Sequence, residues 1–295
     1  MIGQESSIAK PPTDRNVWHG KLELDFANRD GATHVKHSYS QAPWKLQRPF
    51  YPEGDRICHS VLLHTAGGMV GGDRLSAEIN LAENTHALIT TAAAAKIYRS
   101  NGLIAQQSTR IQIAAGAYLE WLPQDSIIFD GAIYNQHLHV ELAPQATWCG
   151  WEVCRYGRTA RGESFLSGQV RSHTEVWQQG RPLWIDRQRL SGGADTIHSP
   201  HALAGQPVVA NLAFIGQVIP TEIVEQARTL VKTAIKGEMQ GEFGVTRLEQ
   251  GIICRYRGAS SLEARTWLIA VWQMLRVSFM GSSTCIPRIW QHNVN

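Results

Sequence analysis

Polar and apolar side chains alternate in short runs through the first two-thirds of the chain. In Lys21-Leu22-Glu23-Leu24-Asp25-Phe26 every second residue is apolar, the period of a strand with one buried face. Similar runs are Ser60–Leu63, Leu75–Leu81, His86–Thr90, Thr109–Ile113, Tyr118–Leu122, His137–Leu142 and Glu175–Trp177. Turn pairs separate them: Asn101-Gly102, Ala115-Gly116, Asp130-Gly131 and Gln179-Gly180. Short strands at spacings of roughly 8 to 12 residues or somewhat more predict a large β layer, whether sandwich, barrel or solenoid. No sequence repeat chooses among these architectures, and no strand–helix alternation of doubly wound type is present.

The period changes near the C-terminus. Thr221–Val231 follows Pro220, carries acid in its first turn and Lys232 and Lys236 beyond, and predicts a helix ending near Gly237. In the next segment Ser260-x-x-Glu263 has the form of a capping box. Ala264, Trp267, Leu268, Val271, Trp272, Leu275 and Phe279 then recur at helical steps before Gly281. Core packing against the sheet is the favoured role for the two tryptophans. The fold class is therefore mainly β, a β-rich α+β chain with its few helices mostly C-terminal. A polar, proline-containing tail over 1–16 is expected to be loose, followed by a single domain over 17–295.

Composition narrows the function classes. In 295 residues, 28 Lys+Arg face 25 Asp+Glu, for a formal net charge of +3. That balance, with no basic run, argues against a nucleic-acid footprint. The start lacks the basic-then-apolar order of a signal peptide. Thr196–Thr221 is free of Asp, Glu, Lys and Arg, but Pro200, Pro207 and Pro220 interrupt it; it is too broken to span a bilayer. Five cysteines (Cys58, Cys149, Cys154, Cys254, Cys285) lack C-x-x-C spacing and read as reduced thiols in a soluble, cytoplasmic protein.

Candidate chemistry is sparse. Gly67-Gly68-Met69-Val70-Gly71-Gly72-Asp73-Arg74 has neither the lysine nor the following helix that a phosphate cradle needs. It reads instead as a close strand-to-strand crossing with Asp73 at its rim. Twelve histidines include no zinc-motif spacing; His137 and His139 share a strand face, so a two-ligand site is open there. No nucleophile motif is present. Asp125, Glu152, Glu163 and Asp186 are carboxylates available for acid–base work, with separations that spacing does not give.

The ordered blocks Gln47-Arg48-Pro49-Phe50-Tyr51-Pro52, Leu63-His64 leading into Gly67–Asp73, and Leu88-Ile89-Thr90-Thr91 resemble the urease accessory protein D family (UreD, also called UreH). The likeness continues through Ala95-Lys96-Ile97-Tyr98-Arg99-Ser100, Leu119–Asp125, Gly157-Arg158, Gly162–Phe165 and Pro287-Arg288-Ile289-Trp290. It covers nearly the whole chain in family order, from about Gly20 to Trp290.

The resemblance implies a non-enzymatic chaperone for a metallocentre. Its expected partners are urease apoprotein, UreF and, through UreF, the GTPase UreG, to which nucleotide hydrolysis would belong. It implies a β-helix-like stack of many short strands. No tightly bound cofactor is expected; nickel(II) is transient cargo. In family terms Asp73, Glu152 and Asp186 are acids that line a nickel passage, with Thr90, Thr91, Ala95 and Tyr98 near it. Carboxylates suit transit because they attract a borderline divalent ion without the tight hold of imidazole or thiolate. Pairing of Glu152 and Asp186 with Arg155, Arg187 or other nearby bases as structural salt bridges is the alternative. Amide substitutions at the three acids are expected to spare folding and UreF binding while lowering the nickel content of urease. A metal-dependent hydrolase and a passive scaffold without an ion path are the competing functions.

Overall fold

A computed structural model describes residues 18–234 and 240–291. The tail expected over 1–16 and the helix end expected near Gly237 lie outside the described residues. The chain opens with β1 (His19–Arg29), β2 (Ala32–Gln41), β3 (Trp44–Leu46) and β4 (Ile57–His64). It continues through β5 (Arg74–Leu81), β6 (His86–Thr91), β7 (Ala95–Ile97), β8 (Ala105–Ile113) and β9 (Tyr118–Trp121). Next come β10 (Ser126–Ile128), β11 (Ile133–Leu142), β12 (Thr147–Tyr156), β13 (Gln169–Gln178) and β14 (Arg181–Ser191). The short helix α1 (Ala194–His198) leads to β15 (Val208–Ile215) and α2 (Thr221–Ala234). A closing hairpin, β16 (Glu242–Leu248) and β17 (Gly251–Gly258), precedes α3 (Ser261–Met280) and α4 (Arg288–Gln291).

These strands form a β-solenoid-like stack with two faces. Sheet A has seven strands in the order β14-β13-β11-β8-β5-β1-β2. Sheet B has ten, in the order β16-β17-β15-β12-β9-β6-β4-β3, with β10 also beside β12 and β7 beside β10. Along the chain β5, β8 and β11 of sheet A alternate with β6, β9 and β12 of sheet B, each pairing in parallel with its predecessor. Each coil thus adds one strand to each face. Arg74, Gln106 and Asn135 fall in one row of sheet A, and His86, Tyr118 and Thr147 in one row of sheet B. Antiparallel hairpins close both ends of sheet A.

The two sheets differ in what covers them, and the sequence patterns follow. Sheet A has one face in solvent, so β5 buries Leu75, Ala77, Ile79 and Leu81 and exposes the residues between. Sheet B is covered twice. Its inner face shares a core with sheet A through residues such as Leu119, Trp148 and Ile215. Its outer face carries Leu88, Leu212 and Phe214 against α2 and α3. Burial on both faces explains the near-continuous apolar runs of β12 and β15.

Helix α3 presents the expected stripe, with Trp267, Leu268, Val271, Trp272 and Leu275 all fully buried. Each indole covers about 200 Å², so at about 25 cal/mol per Å² the pair contributes several kcal/mol to docking the helix. Ser260 caps α3 by accepting the Glu263 N–H at 3.2 Å. The reciprocal half of the box is replaced: Glu263 accepts from the Tyr256 hydroxyl at 2.8 Å and from Gln240 N–H at 3.0 Å. Gly281 ends the helix in the left-handed region. No helix among the described residues is long and apolar enough to cross a membrane, and Thr196–Thr221 contains β15 at the centre of sheet B.

Candidate functional site

The link from β4 to β5 carries the glycine-rich segment from one sheet to the other. Gly68 lies against the Lys96 carbonyl and the Tyr98 ring, at a φ of +151°, which leaves no room for a side chain. Met69 N–H donates to the Lys96 carbonyl and Tyr98 N–H to the Met69 carbonyl. The segment is the close crossing that its glycines predict, and it forms one wall of a cavity between the sheets.

That cavity measures about 380 Å³. Its wall comes from Gly67–Met69, from the Thr91–Lys96 link, from Trp148, Gly150 and Glu152 of β12, and from Leu138, Thr174 and Trp184 of sheet A. The lining is mainly apolar, and its polar members include Gln107, Gln124, Gln136, Glu152 and Asn211 together with the bases Lys96 and His64. The indole nitrogens of Trp44 and Trp148 and Nε2 of His64 are buried there without a partner among the described residues, a setting in which polar guests or water satisfy the wall.

Glu152 is the one carboxylate on this wall among the described residues. Strand alternation turns Trp151 and Val153 outward to the helical layer and Glu152 inward. Its oxygens accept from Gln136 Nε2 at 2.8 Å, Ser172 Oγ at 3.2 Å and the Cys154 thiol at 3.6 Å. Among the described residues no basic side chain pairs with it. Burial raises its pKa above the usual carboxylate range, opposed by the Ser172, Cys154 and Gln136 donors and reinforced by the like charge of Asp186. Asp186 sits on β14 opposite Thr174. It accepts from Gln188 Nε2 at 2.9 Å, and the Arg255 guanidinium lies 3.2 Å from its other oxygen. Arg155 and Arg187 do not engage these acids, since Arg155 bonds Thr159 and Ser261 and Arg187 bonds His173; the salt-bridge alternative is met at Asp186 by a different base, Arg255.

The other nominated residues divide. Thr91 and Ala95 line the cavity, Thr91 by accepting the Gln124 N–H at 2.9 Å. Tyr98 braces the crossing, donating to the Gly67 carbonyl at 2.8 Å. Thr90 faces the opposite way and accepts from the Trp290 indole at 3.0 Å beneath the helices. Asp73 is buried, 1% exposed, rather than at a rim. Its two oxygens accept the Trp18 and Val70 N–H groups, each at 2.9 Å, so the carboxylate locks the turn and the entry of β1. The inter-sheet cavity therefore brings together Glu152, Thr91 and Ala95, with Asp186 close enough to act on Glu152.

Two constellations go beyond the sequence reading, which marked only the His137 and His139 pair of the first and nothing of the second. On the outer face of sheet A, His137 and His139 each stand 3.0 Å from Glu175 Oε1, and His173 adjoins them. His139, then Trp177 and His137, hold Glu175 down at about 2 against its burial. The signal was available: His173-x-Glu175 repeats the spacing of His137-x-His139, and both pairs share a face only if β11 and β13 lie side by side. The second constellation is buried beneath α3. Arg276 lies 3.0 Å from Glu53 and 3.3 Å from Glu120, with His59 on Glu53, His86 on Glu120 and the Trp272 indole donating to Glu120. Nothing in a single strand predicts a base two hundred residues away.

Comparison with known proteins covers the same span. The family described as "UreD urease accessory protein" matches residues 19–291. The urease accessory protein UreD of Nostoc punctiforme is 59% identical over 274 residues, covering 93% of this chain and 96% of that protein. That of Acaryochloris marina is 54% identical over 278 residues, covering 94% and 97%. The protein of Methylobacillus flagellatus is 37% identical over 273 residues, covering 92% and 94%. With its glycine crossing, its cavity wall and its C-terminal helices all inside the matched span, this chain belongs to the UreD family of urease accessory proteins.

Proposed function

We propose that the chain's role in urease maturation is to bind urease apoprotein together with UreF and, through UreF, the GTPase UreG, and to pass nickel(II) inward between its two sheets. The carrying observation is Glu152: an inward carboxylate on the cavity wall, held by neutral donors and by no base among the described residues. Burial disfavours the Glu152 charge, and a divalent ion arriving there offsets that cost. Carboxylate and amide oxygens then attract it while leaving it free to move on. Asp186 supplies the next charge, tempered by Arg255. Thr91 and Ala95 keep the wall narrow and smooth. The chain itself turns over no substrate in this account, and nickel is cargo.

A passive scaffold is favoured by a different observation: Asp73 is committed to backbone amides, and the cavity is mostly apolar. Glu152→Gln with Asp186→Asn separates the two readings. Transit predicts urease of low nickel content with UreF binding intact, and full activation by the double variant would leave only the scaffold. Ala95→Trp, which fills the wall, is expected to act in the same direction.

A further inference from the structure

We propose that His137, His173 and Glu175 form a binding site for a divalent transition-metal ion of the nickel–copper–zinc group on the solvent face of sheet A. Strands β11 and β13 pair in parallel and in register, His137 beside His173 and His139 beside Glu175. Neighbouring strands lie about 4.8 Å apart and alternate residues share a face, so the four side chains occupy the corners of one small patch. Donor atoms of His137, His173 and Glu175 all lie within 4.8 Å of one another. Ligands at about 2.1 Å from a tetrahedral ion stand roughly 3.4 Å apart, so small side-chain rotations close the set.

Two features make this more than a cluster of polar residues. The His137 and His173 rings are stacked at 4.9 Å, which aligns their edges toward the same carboxylate. Nε2 of His173 accepts a hydrogen bond from Arg187 Nε at 3.1 Å, so its lone pair is unprotonated and available once that guanidinium swings away. His139 Nδ1 lies 3.0 Å from Oε1 of Glu175, the oxygen that His137 also approaches, and helps fix the carboxylate as outer partners of metal ligands do. Imidazole is the preferred donor for nickel, copper and zinc ions. His137 is 46% exposed, so an ion enters directly from water and keeps open coordination positions. The patch is separate from the inter-sheet cavity, because Gln136 and Leu138 of the same strand face inward.

The test is titration of the untagged full-length chain with Ni²⁺ and with Zn²⁺ by calorimetry, alongside the His137→Ala/His173→Ala variant. The expected result is a site of about one ion per chain whose affinity falls at least tenfold in the variant, whose circular dichroism and thermal unfolding stay as in the wild type. Cu²⁺ bound to the wild type is expected to show nitrogen hyperfine coupling from two imidazoles in electron paramagnetic resonance. Equal affinity in the variant, no binding by the wild type, or a Cu²⁺ spectrum without nitrogen coupling would overturn the assignment.

Discussion

Single carboxylates in this chain have different work despite similar sequence settings. Asp73 accepts two backbone amides; an amide in its place turns one donor toward one of them. Asp73→Asn is therefore predicted to lose about 1–3 kcal/mol of stability in chemical denaturation, unlike the amide variants of the other two acids. Glu152 has the opposite sign. Its pKa is raised on folding, so its stabilising contribution is full below the ordinary glutamate range and is lost as pH rises through the raised value. Glu152→Gln removes that loss: wild-type and variant stabilities should diverge in the variant's favour across this window, measured by denaturation at stepped pH. A residue reading of the sequence marked both acids through family likeness, but only the fold tells which carboxylate faces a cavity and which is spent on a turn.

Among the elements, the alternating strands of sheet A were legible, and of the strands buried on both faces β4, β6 and β9 were read while β12 and β15 were not. Alternation in β1, β5 and β8 follows from a solvent-facing sheet A. β15 is apolar nearly throughout because α3 covers one face and sheet A the other, so period gave no strand there. The C-terminal helix was legible from its stripe and cap, yet its strongest tether was not. Arg276 is fully buried between Glu53 and Glu120. Arg276→Met leaves two buried carboxylates without their base and is predicted to cost about 3–5 kcal/mol. Val277→Ala, one residue along on the exposed side of the helix, should change stability by no more than about 0.5 kcal/mol. Equal losses in the two variants, read by urea unfolding, would mean that α3 docks by its apolar stripe alone.

At the scale of the whole molecule, strand-rich composition left sandwich, barrel and solenoid open, and family likeness chose the solenoid. The coil repeat was hidden because it resides in register, such as Arg74 beside Gln106 beside Asn135, where the residue types differ from coil to coil. Stacked coils give the molecule an inner space bounded by two sheets, with helices on one outside and open β-sheet on the other. In the proposed role this arrangement would let one chain hold an interior ion path and separate surfaces for partners. In the proposed role, the chain's presence puts nickel into urease. The decisive measurement is nickel per active site in urease matured with UreF and UreG, with this chain, without it, and with its Glu152→Gln/Asp186→Asn variant. The account predicts loaded urease only with the wild-type chain. Equal nickel in urease matured without the chain would contradict it.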